Sequence, residues 1–245
     1  MIDLHTHLLP GLDDGAPDLA SALEMARFAA ACGTTHLMCT PHLHLGRYDN
    51  CAAGIAAALA RFTDALTDAG IALQVSAAAE VRFDSELMPL ALAGKLPCLG
   101  YWQGRQLLLL ELPHSHVPAG TIQLARWLME HGLQPMIAHP ERNKGLMSRP
   151  EQLRPLLQLG CPLQVTAGSL TGRFGERAQA LAERLLLEGQ ITVLASDAHN
   201  LTVRPPNLLP GLTAAIQLVG EPAARRLVED NPWRITETHF SQSAA

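Results

Sequence analysis

Residues 1–40 read MIDLHTHLLPGLDDGAPDLASALEMARFAAACGTTHLMCT, and this stretch predicts a strand, a helix and a second strand. Residues 1–6 are short and mostly apolar. Residues 17–32 place leucine and alanine at helical spacing before Gly33, a residue that commonly ends helices. Residues 34–40 are again apolar and β-branched. Because a parallel strand pair needs a crossover connection, the opening of the chain predicts a βαβ unit.

The same alternation continues along most of the chain. Apolar runs predict strands at residues 1–6, 34–40, 71–79, 107–112, 134–138, 162–166 and 191–196. Amphipathic segments predict helices at residues 17–32, 51–69, 119–131, 150–159 and 174–188, and within 211–229. The strands are apolar on both faces, as expected when helices cover both sides of a sheet. Seven strands that alternate with helices predict an α/β fold with a parallel sheet.

A closed barrel is favoured over an open doubly wound sheet, because no GxGxxG motif follows the first strand. No GxxxxGK[ST] motif is present, which excludes a P-loop protein. No linker rich in proline, glycine or serine divides the chain, and no internal repeat is visible. We therefore expect residues 1–245 to form a single domain.

Composition excludes several classes of protein. The 245 residues are 48% hydrophobic with a formal net charge of −5, which argues against a disordered chain and against a nucleic-acid-binding protein. No apolar run approaches the roughly 18 residues of a membrane span. The N-terminal MIDLHTH has no basic region and no long apolar stretch, so we do not expect it to be a secretory signal. The five cysteines include no CxxC pair, so we expect neither a disulfide scaffold nor a zinc ribbon, and a cytoplasmic location.

Side chains that can bind a metal ion follow nearly every predicted strand. In a barrel, the carboxyl ends of the strands meet on one face, which would bring these residues together. The two imidazoles of an HxH strand point to the same side and can hold one ion. The candidate metal ligands are His5, His7, Asp14, His42, Glu80, Glu111, His139, Asp197 and His199.

A mixture of histidine, aspartate and glutamate suits zinc, manganese or iron(II) rather than calcium, which prefers oxygen ligands only. Nine ligands exceed the needs of one ion and predict two or three. Such a cluster suits hydrolysis, because it activates water at neutral pH and holds a phosphate. Each residue alone has an ordinary structural explanation, such as a helix N-cap, and the joint pattern carries the prediction. Asp3 and Asp13 stay ambiguous, whereas Asp14 is favoured by the loop sequence Asp-Asp-Gly.

Two arginines follow the predicted ligands closely in sequence. Arg142 lies in HPERN after His139, and Arg204 lies beyond His199 in SDAHNLTVRPP. The forked guanidinium matches phosphate oxygens, so both are candidate catalytic residues. Arg47, in HLGRYDN, and His44 are weaker candidates for substrate binding.

Several motifs together resemble a known family. They are MIDLHTHLLPGLDDGA, TPHLHLGRYDN, the glutamate of AAAEVRF, HPERN, TAGSLTGRFG and SDAHN followed by RPPNL. The chain resembles the PHP (polymerase and histidinol phosphatase) superfamily. More narrowly, it is similar to the bacterial tyrosine-protein phosphatases of capsule and exopolysaccharide loci, the CpsB/CapC/YwqE group. The motifs span residues 1 to about 208.

The resemblance implies a distorted (β/α)7 TIM-like barrel of the PHP type with a trinuclear site, usually manganese, with iron, zinc or cobalt as alternatives. It implies one ion on His5, His7, Glu80 and Asp197. It implies a second ion on Glu80, Glu111 and His139. It implies a third ion on Asp14, His42 and His199. Arg142 and Arg204 match the phosphate-binding arginines of the family.

The resemblance also implies a substrate, phosphotyrosine on a protein, in particular a cognate tyrosine autokinase that controls polysaccharide synthesis. The residues alone support only a phosphate ester. Cysteine-dependent tyrosine phosphatases need a C-x5-R loop. Here no cysteine has an arginine six positions later, and the nearest pair is Cys98 and Arg105, one residue too far apart.

Three other functions stay open at the level of sequence. A phosphatase for a small metabolite such as histidinol phosphate would use the same metal site. An amidohydrolase-type barrel also begins with HxH, but its common form needs a modified lysine at a strand end. Neither Lys95 nor Lys144 lies at a predicted strand end. A regulatory protein that holds metal without catalysis would be expected to lack ligands, and none is missing here.

Overall fold

The computed structural model describes residues 1–241, and its strands confirm the predicted α/β fold with a parallel sheet. The strands are β1 Ile2–Thr6, β2 His36–Cys39, β3 His42–Leu43, β4 Gln74–Ala77, β5 Glu80–Arg82, β6 Tyr101–Trp102, β7 Arg105–Glu111, β8 Leu133–Ala138, β9 Leu163–Thr166 and β10 Val193–Ala195. Every named pair is parallel except β6 with β7.

Helices connect and cover these strands. They are α1 Leu19–Ala31, α2 Ala52–Asp68, α3 Leu87–Leu92, α4 Thr121–Glu130, α5 Lys144–Ser148, α6 Arg154–Gln158, α7 Glu176–Leu187, α8 Leu209–Val219, α9 Glu221–Arg226 and α10 Asp230–Phe240. Short 3₁₀ helices span Pro140–Arg142, Pro150–Leu153 and Ala167–Thr171. None of the helices in residues 1–241 has the length and apolar character needed to cross a bilayer.

The strands do not form one continuously hydrogen-bonded barrel. They divide into a sheet of order β1-β2-β4 and a second sheet of order β10-β9-β8-β7-β5-β3. The division falls between β2 and β3, where Pro41 lacks the N–H group that a ladder needs. Two backbone bonds continue the strand pairing across this break, from Ala78 N to Cys39 O (2.9 Å) and from Glu80 N to Pro41 O (3.1 Å).

The two ends of this strand order also meet. An isolated parallel bridge joins Thr6 to Ala198, and Asp197 N donates to the His5 carbonyl at 2.9 Å. If β2 with β3 and β4 with β5 are taken as interrupted single strands, seven strands surround one interior in sequence order. The arrangement is a distorted relative of the TIM barrel, and it brings the carboxyl ends of the strands to one face.

The core has two parts, on the two faces of the strands. In β7, Leu108 and Leu110 pack with the covering helices, whereas Leu107 and Leu109 belong to a separate cluster that also contains Ile235 and Phe240 of α10. All four leucines are fully buried. Burial on both faces explains why the strands read as continuous apolar runs.

Candidate metal centre and active site

A polar cavity of about 250 Å³ opens at the carboxyl ends of the strands. Ten of the thirteen predicted site residues line it, and they are Asp14, His42, His44, Arg47, Glu80, Glu111, His139, Arg142, Asp197 and Arg204. The other three, His5, His7 and His199, are buried in direct contact with these residues. The fold therefore brings together every residue that the sequence singled out.

The HxH pair at the end of β1 presents two imidazole nitrogens to each other. The Nε2 atoms of His5 and His7 lie 3.2 Å apart. His5 Nδ1 is 2.9 Å from Gln164 Oε1, which also accepts from His139 N, and His7 Nδ1 is 2.6 Å from Asp13 Oδ2. Because both Nδ1 atoms face acceptors, each ring donates there. In the neutral rings both Nε2 atoms then carry lone pairs, as in metal-ligating histidines with outer partners.

Two buried carboxylates complete the first group of ligand atoms. Glu80 Oε2 lies 3.3 Å from His5 Nε2 and 3.5 Å from His7 Nε2, and Asp197 Oδ1 lies 3.3 Å from both nitrogens. Glu80 Oε2 is buried, and the nitrogen nearest to it is His42 Nδ1 at 2.9 Å. One ligand atom from each of these four residues lies within 4.8 Å of the others.

A second group lies towards the mouth of the cavity and consists of His7, Asp14, His42 and His199. Asp14 Oδ1 is 3.3 Å from His42 Nε2 and 3.6 Å from His199 Nε2. His199 Nδ1 donates to the carbonyl of Asp197 at 2.9 Å, and its buried Nε2 has no hydrogen-bond partner within the described part of the chain. This Nε2 is therefore free to bind an ion.

The third group differs from the division implied by the resemblance. Glu80 and Glu111 lie together with His42, whereas His139 was expected there. His139 Nε2 instead lies 2.6 Å from Glu80 Oε1, and Glu111 Oε1 accepts from Arg82 at 2.9 Å. His139 thus contacts Glu80 rather than Glu111 in this arrangement.

These residues fit divalent ions. The donors are imidazole nitrogens and carboxylate oxygens, which suit manganese, iron, zinc or cobalt. One buried ligand atom, His199 Nε2, has no hydrogen-bond partner among residues 1–241, which is costly unless an ion binds it. Glu80 Oε2 faces the imidazoles of His5, His7 and His42, an arrangement that suits a shared cation. The three groups of ligand atoms share His7, His42 and Glu80, and the number of ions stays a prediction.

The charges of the cluster are strongly coupled. Burial opposes ionisation of Glu80, but His5, His42 and His139 hold its pKa well below the usual value. Burial would lower the pKa of His42, yet Glu80 and Asp14 raise it to about 10. In the absence of an ion, therefore, protons bound to the histidines occupy positions that a cation would otherwise take.

The guanidinium groups of Arg142 and Arg204 both contact the carboxylate of Asp197. Arg142 NH1 donates to Asp197 Oδ2, and its guanidinium lies 4.6 Å from the centre of the Phe174 ring. Arg204 NH1 is 3.4 Å from Asp197 Oδ2, and its NH2 is 3.8 Å from Asp14 Oδ2. Two guanidinium groups thus face the cavity beside the ligand cluster, where they can bind phosphoryl oxygens.

Unusual backbone conformations occur at two of the strand ends. His139 has φ of 31° and Asp197 has φ of 52°, both in the left-handed region that disfavours side chains. Such conformations cluster at functional sites. Close packing fixes the Asp13–Asp14 loop as well, since a Cβ at Gly15 would collide with the His7 carbonyl.

Sequence reasoning missed two positioning residues. Asp13 was ambiguous, yet its buried carboxylate accepts from His7 and, at 2.9 Å, from the backbone N–H of His42. Gln164 was not considered, although it holds His5. The Asp-Asp-Gly loop was a signal for Asp13. Nothing in the sequence near Gln164 distinguishes it from other strand residues.

The cysteines are unsuited to nucleophilic catalysis, in agreement with the missing C-x5-R loop. No cysteine lines the cavity. Burial raises the pKa of the Cys98 and Cys161 thiols to about 12, and it raises the pKa of Cys39 further. Neither Lys95 nor Lys144 is among the residues that line the cavity, so neither is placed to bridge two ions in the manner of an amidohydrolase.

The sequence profile described as "Capsular polysaccharide synthesis, CpsB/CapC" matches residues 1–237. The chain belongs to the CpsB/CapC family. Tyrosine-protein phosphatase YwqE of Bacillus subtilis (strain 168) is 38% identical over 204 residues, which are 83% of this chain and 79% of the relative. Putative tyrosine-protein phosphatase CapC of Staphylococcus aureus is 31% identical over 205 residues, 84% of this chain and 79% of the relative.

Solved structures agree with this membership. One solved structure superposes on this chain with a TM-score of 0.89 at 34% identity. It comes from a study of YwqE from Bacillus subtilis and CpsB from Streptococcus pneumoniae, described there as "unique metal-dependent tyrosine phosphatases". The match covers 97% of this chain and 94% of that chain. A probable 2-pyrone-4,6-dicarboxylic acid hydrolase from Acinetobacter baumannii gives a TM-score of 0.56 at 16% identity, covering 96% and 98%, which shows a shared fold alone.

Proposed function

We propose that this CpsB/CapC protein is a metal-dependent protein-tyrosine phosphatase that acts without a catalytic cysteine. The proposal rests on one observation. Buried imidazole and carboxylate ligand atoms lie next to the guanidinium groups of Arg142 and Arg204. A phosphate ester fits this arrangement, because its oxygens match both metal ions and arginine forks. The relatives named as tyrosine-protein phosphatases support phosphotyrosine as the ester.

The proposed ligands are the nine residues predicted from the sequence, holding two or three divalent ions, with manganese proposed as the usual one. Such ions supply Lewis-acid activation of a water molecule and neutralise charge on the phosphoryl group. The chain's own residues then orient the ester. Arg142 and Arg204 bind the equatorial oxygens and stabilise the charge that develops there.

Residues at the mouth of the cavity are proposed to contact the rest of the substrate. His44 and Arg47 belong to a turn that lines the cavity. Burial and the neighbouring Arg82 lower the pKa of His44, so it is neutral at pH 7 and can still donate an N–H bond. A tyrosyl leaving group has a pKa near 10 and needs only modest assistance of this kind.

The proposed physiological partner is a phosphotyrosine protein, in particular a cognate tyrosine kinase that controls capsular or exopolysaccharide synthesis. The family description supports this context. We place the protein in the cytoplasm, since its cysteines are free thiols, which persist in reducing compartments. Residues 1–245 are proposed to act as one domain, because the site draws ligands from β1 through to the loop after β10.

One assay tests the proposal. The purified protein is analysed for bound metals, and turnover of a phosphotyrosine peptide is compared with turnover of histidinol phosphate and a phosphoserine peptide, with added manganese and with chelator. We expect metal-dependent turnover that favours phosphotyrosine, and loss of both turnover and bound metal in His5→Ala and Asp197→Ala. A strong preference for histidinol phosphate would replace the proposal with a metabolic function. Absence of turnover of every ester would reject phosphatase activity.

A further inference from the structure

Part of the cavity wall takes no part in the proposed metal and phosphoryl contacts. When the metal ligands, Arg142 and Arg204 are set aside, five lining residues remain, and we call them the outer rim. They are His44, Arg47, Tyr48, Arg82 and His114. All five are basic or aromatic, and none carries a carboxylate.

The turn that carries three of the five outer-rim residues, His44, Arg47 and Tyr48, is held by several hydrogen bonds. His44 N donates to Tyr48 O at 3.0 Å, and Tyr48 N donates back to His44 O at 2.7 Å. Asn50 Nδ2 anchors this turn to the site, because it donates to the carbonyls of both Leu12 (2.9 Å) and His42 (2.8 Å). A pre-formed turn lowers the entropy that a ligand must overcome on binding.

Arg47 is connected to the ligand cluster by two stacked rings, those of Tyr48 and His42. Its guanidinium carbon lies 5.0 Å from the centre of the Tyr48 ring, and that ring stacks on His42 with centroids 5.4 Å apart at 13°. The adjacent Asp49 forms no ion pair with Arg47, and its Oδ1 accepts from Gly46 N at 2.7 Å. Within residues 1–241, Arg47 forms no ion pair.

The other members of the outer rim add donors. Arg82 NH1 binds Glu111, but a guanidinium has five N–H donors, so most of them stay available. His114 lies exposed in the loop after β7 and lines the same cavity. The outer rim thus combines two arginines and two imidazoles beside the place of the scissile phosphate.

We propose that the outer rim is a second anion subsite. It binds a carboxylate or a second phosphoryl group that flanks the scissile phosphotyrosine on the same polypeptide. The proposal rests on the proposed function and narrows its substrate to phosphotyrosine in an anionic sequence context. Arginine supplies charge-assisted bonds to either anion, and these are stronger than bonds between neutral groups.

The test compares three peptides of equal length. The first has phosphotyrosine among neutral residues. The second has glutamate beside the phosphotyrosine. The third carries a non-hydrolysable phosphonomethylphenylalanine there instead. The ratio of kcat/KM for each anionic peptide to that for the neutral peptide is measured in the wild-type holoenzyme and in Arg47→Gln and His114→Gln. Arg105→Gln is the matched control, because Arg105 is exposed at the opposite end of β7.

We expect the wild-type protein to favour at least one anionic peptide by about tenfold, the effect of one charge-assisted bond. Arg47→Gln should bring that ratio close to one, His114→Gln should reduce it less, and Arg105→Gln should leave it unchanged. A preference for the glutamate peptide or for the phosphonate peptide identifies the anion. Equal turnover of all three peptides overturns the subsite and leaves the proposed function standing. No turnover of any peptide overturns the proposed function and the subsite together.

Discussion

At the scale of single residues, the protonation of His7 depends on Asp13. An imidazole binds a cation through one nitrogen while the other keeps its proton, and the 2.6 Å contact to Asp13 Oδ2 keeps that proton on Nδ1. Burial opposes ionisation of Asp13, but its bond to His7 lowers the pKa of this carboxyl, so it stays charged at neutral pH. Asp13 therefore acts on the ions through His7 and is a positioning residue.

Asp13→Asn should weaken metal binding by about 10- to 100-fold, the usual cost of losing an outer partner of a metal ligand. Competition with a chromophoric chelator measures this affinity directly, independently of turnover. Asp18→Asn is the matched control, since Asp18 caps α1 in the same loop and asparagine caps helices equally well. Wild-type affinity in Asp13→Asn would contradict the positioning role.

Arg142 lies in the cavity and contacts Asp197, so its loss should affect the phosphoryl group more than the ions. Arg142→Ala should lower kcat/KM by about 10²- to 10³-fold, because a positioned donor to developing charge is lost. Metal content should stay unchanged, since His5, His7 and Glu80 still bind. Arg184→Ala serves as the control, because the exposed Arg184 pairs with Glu188 on α7 and does not line this cavity. Full activity in Arg142→Ala would reject its role at the phosphate.

At the scale of elements, the turn after β8 holds two predicted site residues in place. The buried Glu141 anchors this turn, because its Oε1 accepts from Thr166 N at 3.0 Å and from Ser169 Oγ at 2.7 Å. Its neighbours in the turn are Arg142 and His139, whose left-handed conformation needs support from the surrounding structure.

Glu141→Ala should lower the free energy of unfolding of the metal-free protein by about 2 kcal/mol, because two buried donors lose their acceptor. Glu141→Gln keeps an acceptor oxygen at the same position and should retain most of the stability and the activity. Urea unfolding and kcat/KM are measured for both variants. If both variants lose activity equally, the charge of Glu141 matters, and the anchoring account is wrong.

Element patterns explain which parts of the fold the sequence predicts. The seven apolar runs were recognised because burial on both faces leaves no polar interruption, as in Leu107–Leu110. Pro41 predicts the end of a strand, whereas the chain continues as β3 in the second sheet. Short elements such as α3 and β6 were missed, since six or two residues carry too little periodicity.

The candidate site was predictable for a similar reason. Parallel strands gather their carboxyl ends, so residues such as His5 and Asp197 could be placed together without knowing any distance. The partners of the ligands were less visible. Gln164 meets His5 only through the packing of β9 near β1, and a contact across 159 residues leaves no local pattern.

At the scale of the whole molecule, the fold concentrates histidines and carboxylates at one face of the strands. In the metal-free protein, protonated histidines balance the negative charge of the carboxylates. Burial would lower the pKa of His7, but Asp13, Asp197 and Glu80 raise it well above the usual value. The pKa of His42 is raised to about 10, so its imidazole is protonated at pH 7.5. An ion must therefore displace protons when it binds.

Manganese binding at pH 7.5 should consequently release at least one proton per protein molecule. Because protons and ions compete for the same nitrogens, apparent affinity should rise with pH up to about 10, where His42 loses its proton unaided. Calorimetry in two buffers of different ionisation enthalpy counts the protons. His42→Gln should reduce the number released, whereas His131→Gln should not, because His131 is an exposed C-cap residue of α4. An affinity independent of pH between 7 and 9 would show that the metal-free site holds its imidazoles unprotonated and already arranged for the ion.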